Sequence, residues 1–298
     1  MADQTAIPTL DATETFVASL RQRSVPKNTI KSYAHDLHLF VQAVPADLTE
    51  VTSEHIQTFL TRNEEHSAAT RQRRYSTLCT FYHWLIRYEI LASNPMDHLD
   101  PIEQVQREPR PLPPEMVTKI LHAIPASNLR DRTLFTLIYE TGMRVGEALS
   151  LLATDVDLRT DDEKVRVFSK RQRERTIMLT AAPESVRLLR RHLKQSQITS
   201  GSVFRGDPRY GGSPLPLEYS VVHYAWQKYC RAAGVEEATI HQLRHSRASQ
   251  LLQAGVPVTT VRKQLGHRNI QSTLLYAEVD QATIKHDLLQ YQRRKGRE

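Results

Sequence analysis

The sequence predicts a mainly α-helical chain in two domains, the second carrying one small β-hairpin. Apolar residues recur at helical spacing over most of the 298 residues. Five prolines crowd into "DPIEQVQREPRPLPPEM", residues 100–116, where that periodicity stops. Two short runs containing β-branched residues, "KVRVF" and "RTIML", flank the basic stretch "SKRQRE". These divide the chain into a helical domain (1–100), a Pro-rich linker (101–114) and a second domain (115–298) with a tail from about 280.

Along the first domain the helical pattern begins near residue 11. "NTIKSYAHDLHLFVQAV" spaces Ile30, Tyr33, Leu37, Phe40 and Val41 at helical intervals, with Asn28 as its cap. "TSEHIQTFL" takes Thr52 or Ser53 as its cap, and "ATRQRRYSTLCTFYHWLIRYEI" sets Leu78, Phe81, Tyr82, Leu85 and Ile86 on one face. Arg71, Arg73 and Arg74 stand at the front of that last helix, away from its apolar stripe. There they either reach phosphates or form a solvated face. Beyond the linker, "PPEMVTKILHAI" and "LRDRTLFTLIYETG" read as helices, the second ended by Gly142. "MRVGEALSLLATDVDL" restarts a helix with Arg144 in its first turn. The hairpin follows, and from "PESVRLLRRHL" onward the chain is again helical. Gly266 ends "VTTVRKQL" and puts His267 in the turn beyond.

Composition removes several classes of function. The N-terminus has no basic start followed by an apolar run, and no stretch approaches eighteen continuous apolar residues, so a cytoplasmic location without membrane contact is expected. The two cysteines, Cys79 and Cys230, form no CxxC and are expected in the cores. No repeat or low-complexity tract occurs. Charge is unevenly placed: residues 1–110 hold 11 Lys and Arg against 14 Asp and Glu, and residues 111–298 hold 29 against 19. A basic second half fits a polyanion, most simply nucleic acid, or else a solvated basic surface.

Taken singly, the candidate residues each admit an ordinary reading. Arg144 at a helix start could bind a phosphate with its planar fork or lie on the surface, and Glu147, three residues on, would pair with it and orient it. Lys170 is one of four basic residues at the hairpin tip. His241 and Arg244, in "HQLRHSRASQLL", share a helix face at i, i+3. His241 and His245 have the spacing of a zinc-binding HExxH helix, but position 242 is Gln, so the base that metal-assisted hydrolysis requires is missing. His267 reads alone as a capping group and Tyr276 as half-buried packing. Together they are an inventory for attack on a phosphodiester. Two arginines can hold the non-bridging oxygens of a phosphorane, and histidines supply hydrogen bonds and proton transfer near neutral pH. Tyrosine, with a pKa near ~10 in water, becomes a usable nucleophile beside cations. Neither metal nor other cofactor is needed.

At these residues the chain resembles the tyrosine recombinases, or phage integrase family, of the Xer-like two-domain kind without an arm-binding domain. Their signature is an arginine followed by Gly or Ser and Glu, a hairpin lysine, H-x-L-R-H, L-G-H, and a tyrosine nine residues after that histidine. Here these read "TGMRVGEALSL", "SKRQRER", "HQLRHSRAS", "LGH" and Tyr276. The hairpin departs from the common G-K-G, with Arg171 and Arg173 close to Lys170 and candidates for DNA contact.

The resemblance implies a two-domain DNA clamp, a helical SAM-like core-binding domain followed by a mixed α+β catalytic domain. It implies that Arg144 and Arg244 hold the scissile phosphate, Lys170 protonates the departing 5′ oxygen, His241 assists proton transfer, His267 hydrogen-bonds the phosphate and Tyr276 forms a 3′-phosphotyrosyl link. It further implies four protomers on two duplex sites, exchanging strands through a Holliday junction. The tail stripe Ile284, Leu288 and Tyr291 is expected to dock on a neighbouring protomer or back on its own domain. A type IB topoisomerase and a non-enzymatic helix-turn-helix regulator are the alternatives. The regulator would rest on "RASQLLQAGVPVTTVRKQLGH" and would have no use for Tyr276.

Overall fold

In the computed structural model, residues 6–62, 67–102, 110–168, 174–206, 212 and 214–266 are described. The chain divides into two compact units, Met1–Arg107 and Glu108–Glu298.

Among the described residues, the first unit holds four α-helices: α1 (Thr9–Gln22), α2 (Lys27–Val41), α3 (Ser53–Thr61) and α4 (Ala68–Arg87). Their inward stripes meet in an aromatic core. Phe16 meets Phe81 edge-on at 5.4 Å between ring centres, and Phe40 meets Phe59 at 5.3 Å. Thr52 caps α3 reciprocally with His55, whose Nδ1 accepts the Thr52 N–H at 3.2 Å. For α2 the cap differs from the sequence expectation: Pro26 precedes the first turn and Asn28 lies inside the helix. Proline fixes φ for the helix entry but has no side-chain oxygen to accept the first-turn N–H groups, so α2 starts without a side-chain cap and its first bonds run from Thr29 and Ile30 to the Pro26 carbonyl. Cys79 is half-buried against this core, and Cys230 is buried in the second unit.

Arg74 is a correction to the expected phosphate-facing row. It is 6% exposed, with its guanidinium 5.2 Å from the centre of the Phe59 ring. The cause is helical phase, because residue 74 lies one turn before Leu78 on the same inward stripe. Arg73 pairs with Asp36, a carboxylate 1% exposed that also accepts the Thr77 hydroxyl at 3.0 Å. Among the three, Arg73 keeps its side chain 41% exposed.

The second unit is organised around α6 (Leu129–Thr141), buried on nearly every side. It packs against α8 (Pro183–Gln195) and α10 (Ile240–Gln253). Before it runs α5 (Pro114–Ala123), and after it α7 (Val145–Leu149). The hairpin belongs to a three-stranded antiparallel sheet of β1 (Val156–Asp157), β2 (Lys164–Phe168) and β3 (Glu174–Met178), registered by Val165 opposite Ile177. β1 is too short for a sequence pattern to show. Then come α9 (Tyr219–Ala232), α10 and α11 (Val258–Leu265). Trp226 on α9 is fully buried and donates its indole N–H to the Ala238 carbonyl at 2.8 Å.

Gly142 ends α6 with φ +66°, a left-handed conformation. A Cβ there would stand 2.3 Å from the Leu265 Cδ2, so glycine also lets α11 approach this turn. The chain therefore leaves α6 beneath α11 and delivers Arg144 two residues later.

Candidate active site

Arg144 caps α7 with extended backbone, and its own N–H donates to Glu147 Oε2 at 2.8 Å. The guanidinium donates from Nη1 to Glu147 Oε1 at 3.2 Å and from Nη2 to the Gly266 carbonyl at 3.2 Å. Its side chain is 43% exposed, whereas Glu147 is 5% exposed. A buried carboxylate thus holds a cation whose outer edge faces solvent, an arrangement suited to an arriving anion.

Arg244 is 2% exposed on α10 and donates from Nη1 to the Gly142 carbonyl at 2.7 Å. The same glycine that turns the chain toward Arg144 therefore also orients the second arginine. His241, one turn earlier on α10, is exposed on one side. Its pKa lies below the usual imidazole value because of the protein mass behind it, then the charges of Arg244 and Arg144. Both arginines and His241 consequently share one electrostatic neighbourhood. A histidine so placed is neutral near pH 7 and can accept a proton.

His245 stands edge-to-face with His241, ring centres 4.4 Å apart. Its pKa is pushed down to about 4, first by burial and then by His241 and Arg244. Folding thus favours its neutral form. Its contribution to stability is complete above the unfolded value of 6.5 and is lost as pH falls from there toward 4. His245→Gln is expected to flatten part of the acid dependence of the melting temperature in that window. His241, and His192 beneath the Val203 carbonyl, both also lowered by burial, account for a further part. Melting curves of parent and variant from pH 7 to pH 4 test this, and curves that stay parallel throughout would contradict it.

One basic residue that the sequence reading passed over belongs to this cluster. Arg175, 16% exposed on β3, donates to Glu147 Oε2 at 2.6 Å and to the Gln264 carbonyl at the end of α11. The available signal was its phase, since Arg175 lies two residues before buried Ile177 and so shares its inward face, while Glu174, Thr176 and Met178 face outward. Lys170, Arg171, Arg173, His267, Tyr276 and the tail lie outside the described residues. Arg71, Arg73 and Arg74 belong to the first unit. The structure thus brings together Arg144, Glu147, His241 and Arg244 from the sequence-predicted set, with Arg175 in addition.

Comparison with known proteins gives two family matches: the phage integrase family over residues 110–283 and the phage integrase N-terminal SAM-like domain over residues 13–89. The chain is 28% identical over 285 residues to tyrosine recombinase XerC of Roseiflexus sp. (strain RS-1), covering 92% of this chain and 90% of that one. It is also 28% identical over 282 residues to tyrosine recombinase XerD of Listeria monocytogenes serovar 1/2a, covering 89% and 92%. Among solved structures, it resembles XerH recombinase bound to a palindromic difH substrate after cleavage (TM-score 0.73, 21% identity, 93% of this chain and 83% of that one). It also resembles a lambda integrase tetramer bound to a Holliday junction (TM-score 0.74, 18% identity, 91% and 78%). No described helix is long and apolar enough to cross a membrane.

Proposed function

The chain belongs to the phage integrase family and is a Xer-like, tyrosine-type site-specific DNA recombinase; on that premise we propose how its residues cut and rejoin a strand. The Tyr276 oxygen attacks the scissile phosphorus and displaces the 5′ oxygen, which takes a proton from Lys170. A 3′-phosphotyrosyl ester keeps the energy of the broken bond, so the free 5′ hydroxyl of the partner strand can reverse the step without ATP. Arg144 and Arg244 neutralise the non-bridging oxygens as charge builds on the phosphorane. His241, neutral for the reasons above, takes up the phenolic proton, and His267 hydrogen-bonds the phosphate.

The observation that supports this reading is the convergence of Arg144, Arg244 and His241 on one neighbourhood, with Arg144 held by a buried carboxylate and open outward. In the assembly we infer, four protomers hold two duplex sites and exchange tails from about residue 280. That lambda integrase is found as a tetramer on a Holliday junction supports the number of protomers in this reading. Such a protein works in the cytoplasm, on the nucleoid, with Arg71, Arg73, Arg171 and Arg173 as further phosphate contacts.

The test is capture of the intermediate. Protein incubated with a mixture of genomic DNA fragments in excess EDTA is expected to yield protein-linked DNA that survives denaturant, because arginines rather than a divalent ion stabilise the phosphorane. An adduct that forms only when a divalent ion is restored would contradict that account. Sequencing the retained DNA identifies the site, and two-site assays on it separate strand exchange from simple relaxation.

A further inference from the structure

Glu147 is shared by two cations, and the sharing is unequal. Arg175 approaches Oε2 at 2.6 Å, while the Arg144 guanidinium reaches Oε1 at 3.2 Å. Arg175 is also the more enclosed of the two. Its other donor holds the Gln264 carbonyl, and the Gln264 side chain returns to β3, accepting the Met178 N–H at 3.3 Å and donating to the Met178 carbonyl at 2.8 Å. Gly266, φ +70°, closes the loop. A Cβ there would lie 2.5 Å from Arg175 Nε, and its carbonyl accepts from Arg144. The two guanidiniums therefore touch the same carboxylate and the same helix end.

We propose that Arg175 is a positioning residue for strand cleavage: it compensates Glu147 and clamps the end of α11, leaving the Arg144 guanidinium available to the scissile phosphate. Without Arg175, the buried carboxylate keeps one cationic partner. The Arg144 fork then closes on it with both donors, as arginine does with an uncompensated carboxylate, and those donors are withdrawn from the phosphate. The Gly266 carbonyl, no longer fixed by the clamp on the preceding turn, ceases to hold the far side of the fork. Arg175 itself need touch no DNA.

This inference rests on the recombinase reading above, and its test uses the full chain with the duplex recovered as covalent adduct. Two quantities are measured, the single-turnover cleavage rate and the dissociation constant. Arg175→Gln is expected to cut about 10–100-fold more slowly while binding within about threefold of the parent, because a displaced phosphate ligand costs rate before affinity. The second arm is Arg175→Gln combined with Glu147→Gln. Removing the uncompensated carboxylate frees the Arg144 fork, so the double variant is expected to cut faster than Arg175→Gln alone. A purely structural role predicts the reverse, each core change adding to the last.

Parental cleavage by Arg175→Gln, or a double variant slower than the single one, overturns the proposal. Should Arg175→Gln fail to fold by circular dichroism, Arg175→Met with and without Glu147→Gln carries the same comparison. Methionine fills the enclosed stem without a charge, so Glu147 is again left uncompensated. The parent is assayed alongside: an adduct from the parent together with an unimpaired Arg175→Gln sinks this proposal alone, whereas no adduct from the parent sinks the recombinase reading with it.

Discussion

Tyr276→Phe is expected to bind the recombination duplex with parental affinity and to form no denaturant-resistant adduct. The substitution keeps the ring and removes one oxygen, the atom that would bond to phosphorus. Loss should therefore be complete rather than graded, because phenylalanine has no oxygen with which to attack phosphorus. Gel shift against adduct formation on one labelled duplex separates the two properties. Adduct retained by the variant would move the nucleophile elsewhere, with Tyr291 the next tyrosine in the chain.

Arg144→Lys carries the second large effect, a fall of about 100–1000-fold in single-turnover cleavage with charge conserved. Arg144 uses two terminal nitrogens at once, one on Glu147 and one on the Gly266 carbonyl. An ammonium is a single point that cannot satisfy both partners and still present a paired face to two phosphate oxygens. The turn itself should survive, since the Arg144 N–H to Glu147 bond is made by backbone. Similar melting temperatures for variant and parent would separate this loss from unfolding. A cleavage rate within about tenfold of the parent would reduce Arg144 to an ordinary surface cation.

What the sequence disclosed was local. Thr52 as a cap, Gly142 and Gly266 as left-handed stops, and the hairpin strands all depend on residues within a few positions of each other. Arg144 followed by Glu147 belongs to the same class. The pairing of Arg144 with a carbonyl 122 residues away, and of Arg175 with Glu147 across 28, leaves no local trace, because tertiary packing alone brings them together. Arg74 was readable and misjudged. Extending the stripe of Leu78 and Phe81 by one turn places it inward, but an arginine there invites an outward assignment, and a ring beneath its guanidinium is what makes burial tolerable. Asp36 hid for the converse reason: its partner Arg73 lies 37 residues on, on another helix.

The register of β2 against β3 has a consequence for Arg175. Phe168 pairs with Glu174, and the next residue along β3 is Arg175, bolted to Glu147 and to α11. Arg175 itself pairs with Val167, so the strand ladder and the two side-chain contacts fix one and the same residue. A slip of β3 by a single position would turn the Arg175 side chain to the opposite face and break both contacts together. Strand pairing thereby becomes the alignment gauge of the Glu147 cluster.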